Sequence, residues 1–278
     1  MNFSQRRQTR VKNRRLNRLG KKEERLLAPD SPSFVARKAQ QLTAPAKEKV
    51  LEKIPPKALE QSANLLEKAF EKSFDLVWEK GSSLIGKLCS AEKRLNRYEQ
   101  FAQKPLSSWE LSRLGCEVAL RASATMAFSS VQGGVMGALG IGLPDVPIFL
   151  AAVFKTLFEI SLSFGYPYDT PSEKVYQLLL ICAAVASDEE ERRRAGQDAD
   201  CAAVQIRLGL LPAVTVEEAK SRASKALCSA ALGGKMVQGM PIVGVYGGFR
   251  NGALLKQIGS LAAVKYQQRM LRELLIEG

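Results

Sequence analysis

Four short runs constrain this chain more than anything else in it: Ser107-Ser108-Trp109-Glu110, Thr170-Pro171-Ser172-Glu173, Ser187-Asp188-Glu189-Glu190 and Thr215-Val216-Glu217-Glu218. Each places a hydroxyl three residues before a glutamate at the head of an apolar-periodic segment. The hydroxyl can accept from a free amide of the first turn, and the glutamate can reach back to the amide of the capping residue. Pro171 sits at a first helical position, where its missing N–H costs nothing. Helix starts recurring like this, with hardly any alternating strand pattern, predict an all-α protein. Leu59, Ala63, Leu66, Phe70, Phe74 and Val77 form one helical face, with Lys57, Glu60, Glu67, Lys68, Glu71 and Lys72 opposite and Gly81 as a stop. Asp188, Glu189 and Glu190 stand four residues before Arg192, Arg193 and Arg194, which reads as a solvated, ion-paired helix surface.

Two segments depart from this pattern. Ala122–Pro144 is 23 residues without a charge, rich in Gly133, Gly134, Gly137, Gly140 and Gly142. After Leu143-Pro144-Asp145-Val146-Pro147, a second apolar stretch runs from Ile148 to Phe154. Later, Gly233-Gly234 precedes Met240-Pro241-Ile242-Val243-Gly244, then Gly247-Gly248 and an apolar helix through Leu254, Leu255, Ile258, Leu261 and Val264. Both read as Gly-rich apolar helical hairpins. Small residues at these spacings permit close helix contact, in a soluble core or in lipid. The length of the first would suit a membrane span, although its glycines and hydroxyls argue against a simple one. A phosphate loop is disfavoured, because G-x-x-x-x-G-K-[ST] is missing and no strand precedes either cluster.

Charge divides the chain. The formal net charge is +13, from 41 Lys+Arg and 28 Asp+Glu. Arg6, Arg7, Arg10, Lys12, Arg14, Arg15, Arg18, Lys21 and Lys22 contribute nine of it within residues 1–22, where there is no acid; the rest of the chain is left with four. With the breaker Pro29-Asp30-Ser31-Pro32, residues 1–32 read as a disordered basic arm or linker and 33–278 as one helical domain. The arm fits three roles: contact with an anionic surface such as lipid headgroups or nucleic acid, a transit peptide, or a solvated tail. Nucleic acid is disfavoured because only Phe3 precedes Phe34 as a stacking aromatic.

The histidine count is zero. This excludes Ser-His-Asp and Cys-His nucleophilic sites, His-ligated zinc and 2-His-1-carboxylate iron. Cys89, Cys116, Cys182, Cys201 and Cys228 form no C-x-x-C pair and read as buried free thiols, so neither a metal nor a cofactor is expected.

The segment Gly140-Ile141-Gly142-Leu143-Pro144-Asp145-Val146-Pro147 resembles the first signature of the EcsC protein family, continued by Phe158-Glu159-Ile160 to Gly165-Tyr166 and by Tyr168-Asp169-Thr170-Pro171. Met240 to Gly248 with Asn251 is similar to the second signature, and Ala263 to Leu271 to the terminal helix. The resemblance covers residues 50–275 or so and leaves the arm outside. It implies a helical, mostly bacterial protein with an auxiliary role at the membrane, and brings no catalytic residues.

These readings lead to a non-enzymatic helical protein, cytoplasmic and peripheral to the membrane, that binds lipid or a membrane-protein partner; its oligomeric state is left open. The candidate binding residues are Gly140, Pro144, Asp145, Pro241, Gly244, Gly247, Arg250 and Asn251, with the nine cations of the arm as anionic-surface contacts. The alternative is a hydrolase-type enzyme. There Asp145 serves as base or metal ligand, and Arg250 and Asn251 orient an anionic substrate.

Overall fold

The computed structural model describes residues 3–28, 56–81, 145–232 and 246–276. Among the described residues there are seven α-helices and no strand: α1 (Phe3–Leu27), α2 (Pro56–Leu76), α3 (Asp145–Ser163), α4 (Pro171–Val185), α5 (Glu189–Arg207), α6 (Val216–Leu232) and α7 (Tyr246–Ile276). The all-α expectation holds. The helix start predicted at Ser107, the stretch 122–144 and the glycine pair at 233–234 lie outside the described residues.

The predicted face of α2 is the buried one. Phe70, Phe74 and Val77 are in the core, and Ala63 and Leu66 pack against it. The helix widens into a π-helical turn over Val77–Gly81, which places Trp78 against Phe154 of α3 at 4.2 Å between ring centroids. Lys220 of α6 meets Asp75 at 3.0 Å, and the Cys228 thiol points at the Ala63 carbonyl. α6 therefore runs antiparallel to α2.

α3 is apolar nearly all round because it is enclosed nearly all round. Leu150, Val153, Phe154, Leu157 and Phe158 are fully buried. Each such side chain contributes roughly 1.5–3 kcal/mol of transfer free energy. Val146–Ser163 is long and apolar enough to cross a membrane, yet 67% of it is buried inside the protein. The helix ends in a Schellman turn: Tyr166 N–H donates to Ser161 O and Gly165 N–H to Leu162 O, with Gly165 at φ 83°. That turn directs Tyr166 onto α7.

Two of the predicted capping hydroxyls act as such. Thr170 accepts from Glu173 N–H at 3.2 Å, and Thr215 from Glu218 N–H at 3.2 Å. The third is displaced by one residue. Asp188, not Ser187, caps α5, because a carboxylate offers two acceptors and reaches both Glu190 and Glu191 amides. Ser187 instead shares a 2.8 Å hydrogen bond with Ser229 of α6. The solvated reading of the 188–194 charge run holds for Glu189 and Arg193, paired at 3.3 Å. It fails for Arg192, which is buried and donates to the Ala28 carbonyl.

The largest correction concerns the arm. Residues 3–27 are helix, docked along α7. The cause is a stripe that the charge count conceals: Val11, Leu16, Leu19, Leu26 and Leu27 share one face and pack on the core. Polar contacts fix the register. Lys12 Nζ donates to Leu274 O at 2.6 Å, Arg15 to Gln267 Oε1 at 3.0 Å, and Gln268 to Glu23 at 2.8 Å. α1 is thus antiparallel to α7 and part of the folded body.

α7 is the axis of the structure. Every residue from Leu261 to Leu271 is buried, Lys265, Gln267, Gln268 and Arg269 included. Apolar side chains meet α3 and α4, while the polar ones meet α1, α4 and α5.

Candidate anionic-surface interface

Docking sorts the nine predicted cations of α1 into two sets. Lys12 and Arg15 turn inward to α7. Arg6, Arg7, Arg10, Arg14, Arg18, Lys21 and Lys22 are exposed, and Arg25 joins them. Arg7, Arg10, Arg14, Arg18, Lys21 and Arg25 follow steps of three or four, so they form one stripe along the helix. At about 1.5 Å per residue the stripe is roughly 27 Å long. Residues 1–22 hold no acid, so like charges repel at each step from Arg7 to Lys21. Docking keeps that row together, pointing outward.

The attachment of α1 centres on Lys265, which is 1% exposed. Its Nζ sits between Glu23 of α1 at 2.5 Å and Asp200 of α5 at 3.0 Å, and donates to the Gly196 carbonyl. A buried ammonium is tolerated only with such partners. Nothing in the sequence marks Lys265 as buried; it becomes so because α1 covers it.

A second buried polar cluster joins α4 to α7. Glu173 is fully buried and takes both oxygens to the Arg269 guanidinium, at 2.9 and 3.1 Å, and a 2.6 Å hydrogen bond from the Tyr266 hydroxyl. Arg269 also lies 4.0 Å from the Tyr166 ring centroid. Burial pushes the Glu173 carboxyl above its ordinary range, against the pull of Arg269 and Tyr266. Glu173 was expected to complete a capping box; it faces inward instead. The cluster is closed to solvent and self-satisfied, which makes it a structural joint.

Between α5 and α6 lies an open cleft of about 640 Å³, lined by Ser187, Glu191, Arg194, Arg222 and Lys225 among others. Its central cation is already neutralised: Arg222 pairs with Glu191 at 2.7 Å and Asp198 at 2.8 Å. The rim of the cleft carries both signs, Asp188 and Glu218 beside Arg194 and Lys225, so it presents no field of one sign to an anion.

The residues proposed from the glycine-rich signatures divide differently. Gly140, Pro144, Pro241 and Gly244 lie outside the described residues. Asp145 begins α3, and Gly247, Arg250 and Asn251 lie in the first two turns of α7, with their side chains outside the described set. α3 and α7 pack against one another. Among the described residues, no group of three His, Cys, Asp or Glu could hold a metal ion. Of the expected buried thiols, Cys182 and Cys228 are buried but Cys201 is exposed, and Cys89 and Cys116 lie outside the described residues.

Comparison with curated proteins and with solved structures returns no match. The EcsC protein family model matches residues 14–271, beginning inside α1 rather than after the basic segment as the motif resemblance implied. With that match over nearly the whole chain, and the helical architecture around α7, this chain belongs to the EcsC protein family.

Proposed function

We propose that this is a non-enzymatic membrane-surface protein whose docking face is the outer side of α1, and whose partner is an anionic lipid bilayer. The observation that carries the reading is the exposed stripe Arg7, Arg10, Arg14, Arg18, Lys21 and Arg25 on a helix held to the body by its opposite face. Each cation brought near an anionic leaflet contributes about 1 kcal/mol. The headgroups also relieve the repulsion along the stripe. A bilayer fits better than nucleic acid because no aromatic side chain accompanies the cations beyond Phe3 at the tip.

The test is co-sedimentation with vesicles of phosphatidylglycerol and phosphatidylcholine at low and high salt. Binding to the anionic vesicles that weakens with salt is expected, with little binding to pure phosphatidylcholine. Replacing Arg7, Arg10, Arg14 and Arg18 by glutamate should lower the affinity at least about a hundredfold, since four contributions of that size are reversed. Equal binding by the variant, or none by the native protein to either vesicle, overturns the reading.

A further inference from the structure

The loop after α5 holds an apolar surface open to solvent. Leu208, Leu210 and Leu211 are 59%, 56% and 80% exposed, and Val204 of α5 is 47% exposed on the same side as Leu208. The loop is well tied down. A Schellman turn closes α5, with Leu210 N–H donating to Gln205 O at 2.8 Å, Gly209 N–H donating to Ile206 O, and Gly209 at φ 72°. The Gln205 side chain then accepts from Ala213 N–H at 3.0 Å. In such a turn the residue after the glycine ordinarily folds back on the helix. Here Leu210 and Leu211 are turned outward on a satisfied backbone, so their exposure does not come from a frayed chain.

Contact pairs locate this loop. Along α7 toward its C-terminus, the partners on α5 pass from Gly196 and Asp200 at Lys265 to Asp200 at Arg272, and Arg192 near the start of α5 meets Ala28 just past the far end of α1. The partners on α1 retreat from Glu23 at Lys265 to Lys12 at Leu274. The C-terminal end of α5 with its leucine loop, the end of α7 and the N-terminal half of α1 therefore share one end of the bundle. That end also carries Ile276, 62% exposed, and Phe3, 83% exposed. Residues 201–216 contain no acid and one cation, Arg207.

We infer that Leu208, Leu210 and Leu211 form a wedge that enters the headgroup–acyl boundary of an anionic bilayer while the α1 cations engage the headgroups. The inference rests on the membrane reading above and adds an apolar contact to it. The occupant follows from charge. An apolar tip at the same end of the bundle as the exposed Arg6, Arg7 and Arg10, with Arg207 and no carboxylate in its own segment, matches a surface that is anionic outside and apolar within. Apolar insertion and attraction to anionic headgroups add to one another in such binding.

Leu211→Trp reports on the wedge, measured as fluorescence in excess of the native protein. On phosphatidylglycerol vesicles the added tryptophan should shift to the blue and be quenched by lipids brominated high on the acyl chain. Leu208→Ser with Leu211→Ser should weaken binding at least about tenfold and leave its salt dependence unchanged. An unchanged melting temperature shows that the exposed positions do not matter for folding. Vesicle binding with no tryptophan shift overturns the wedge and leaves the α1 reading standing. No binding at all overturns both. A concentration-dependent dimer that the serine variant dissolves would assign the leucines to a second copy of the chain and also overturn the wedge.

Discussion

Arg269 holds both carboxylate oxygens of Glu173, 96 residues away, in a site closed to solvent. Neither charge has an exit. Replacing Glu173 by alanine leaves a guanidinium buried without its anion, and the expected loss is about 3–5 kcal/mol of stability. The double replacement with Arg269→Met should cost less than the sum of the two single changes, because it strands no charge. Urea unfolding followed by circular dichroism measures all three variants. Additive losses would show that the pair is not coupled.

Lys265 is the corresponding joint for α1. Lys265→Ala takes from Glu23 its buried cation and leaves Asp200 with Arg272 alone. A loss of about 3 kcal/mol is expected, toward the lower end for a broken pair because Asp200 keeps contact with water. The effect should be local as well. α1 is dense in trypsin sites, so brief trypsin treatment should remove it from the variant well before the body is cut. Equal resistance in variant and native protein would mean that the apolar stripe alone holds the helix.

Two glycines separate helix propensity from docking. A Cβ at Gly20 in α1 meets nothing within 4 Å, so Gly20→Ala should stabilise by about 0.5–1 kcal/mol. At Gly196 in α5 a Cβ lies 3.4 Å from Leu27 Cδ1, an ordinary contact, and alanine should be tolerated. Gly196→Leu would occupy the place of Leu27 and push α1 away. Thermal melting and the same trypsin assay distinguish the two kinds of change.

Local rules were readable from the residues themselves. Thr170 and Thr215 announced two helix starts, and the face of α2 from Ala63 to Val77 followed its period. What failed depended on a partner distant in sequence. Glu173 looks like a capping glutamate until α7 supplies Arg269. The polar run Lys265 to Arg269 looks like a solvated helix surface until α1 and α4 cover it. Summing the charge of residues 1–22 obscured the stripe Val11, Leu16 and Leu19. The exposed leucines after α5 resemble any apolar run, since neither periodicity nor composition reports that they stand outward from a closed turn.

Burial also sets a pH limit. It pushes the Cys182 thiol from 9.0 up to about 12, with the Glu191 carboxylate adding to the effect, and the Cys228 thiol up to about 11. Tyr176 and Tyr266 are raised as well, chiefly by burial. These groups hold their protons longer in the folded chain than in the unfolded one. Their contribution is therefore complete below about pH 9 and is lost as the pH rises further, when the unfolded chain releases protons first. The urea midpoint should fall as the pH rises from about 9 to about 11. At about pH 8 iodoacetamide should modify Cys201 in the native protein and reach Cys182 and Cys228 only after unfolding. A flat midpoint over that range would contradict the assignment.

The pairing of α1 with α7 has a consequence for biosynthesis. Contacts such as Lys12 with Leu274 and Arg15 with Gln267 join residues 262 and 252 positions apart. At about 5–20 residues per second, α1 leaves the ribosome roughly 10–50 s before its docking partner. Throughout that interval its leucine stripe and its cations are open together, and an amphipathic cationic helix in that state is suited to lie on an anionic surface. On the bilayer reading proposed above, the growing chain would meet the membrane before it closes; what completion of α7 supplies is the surface on which the apolar face of α1 packs.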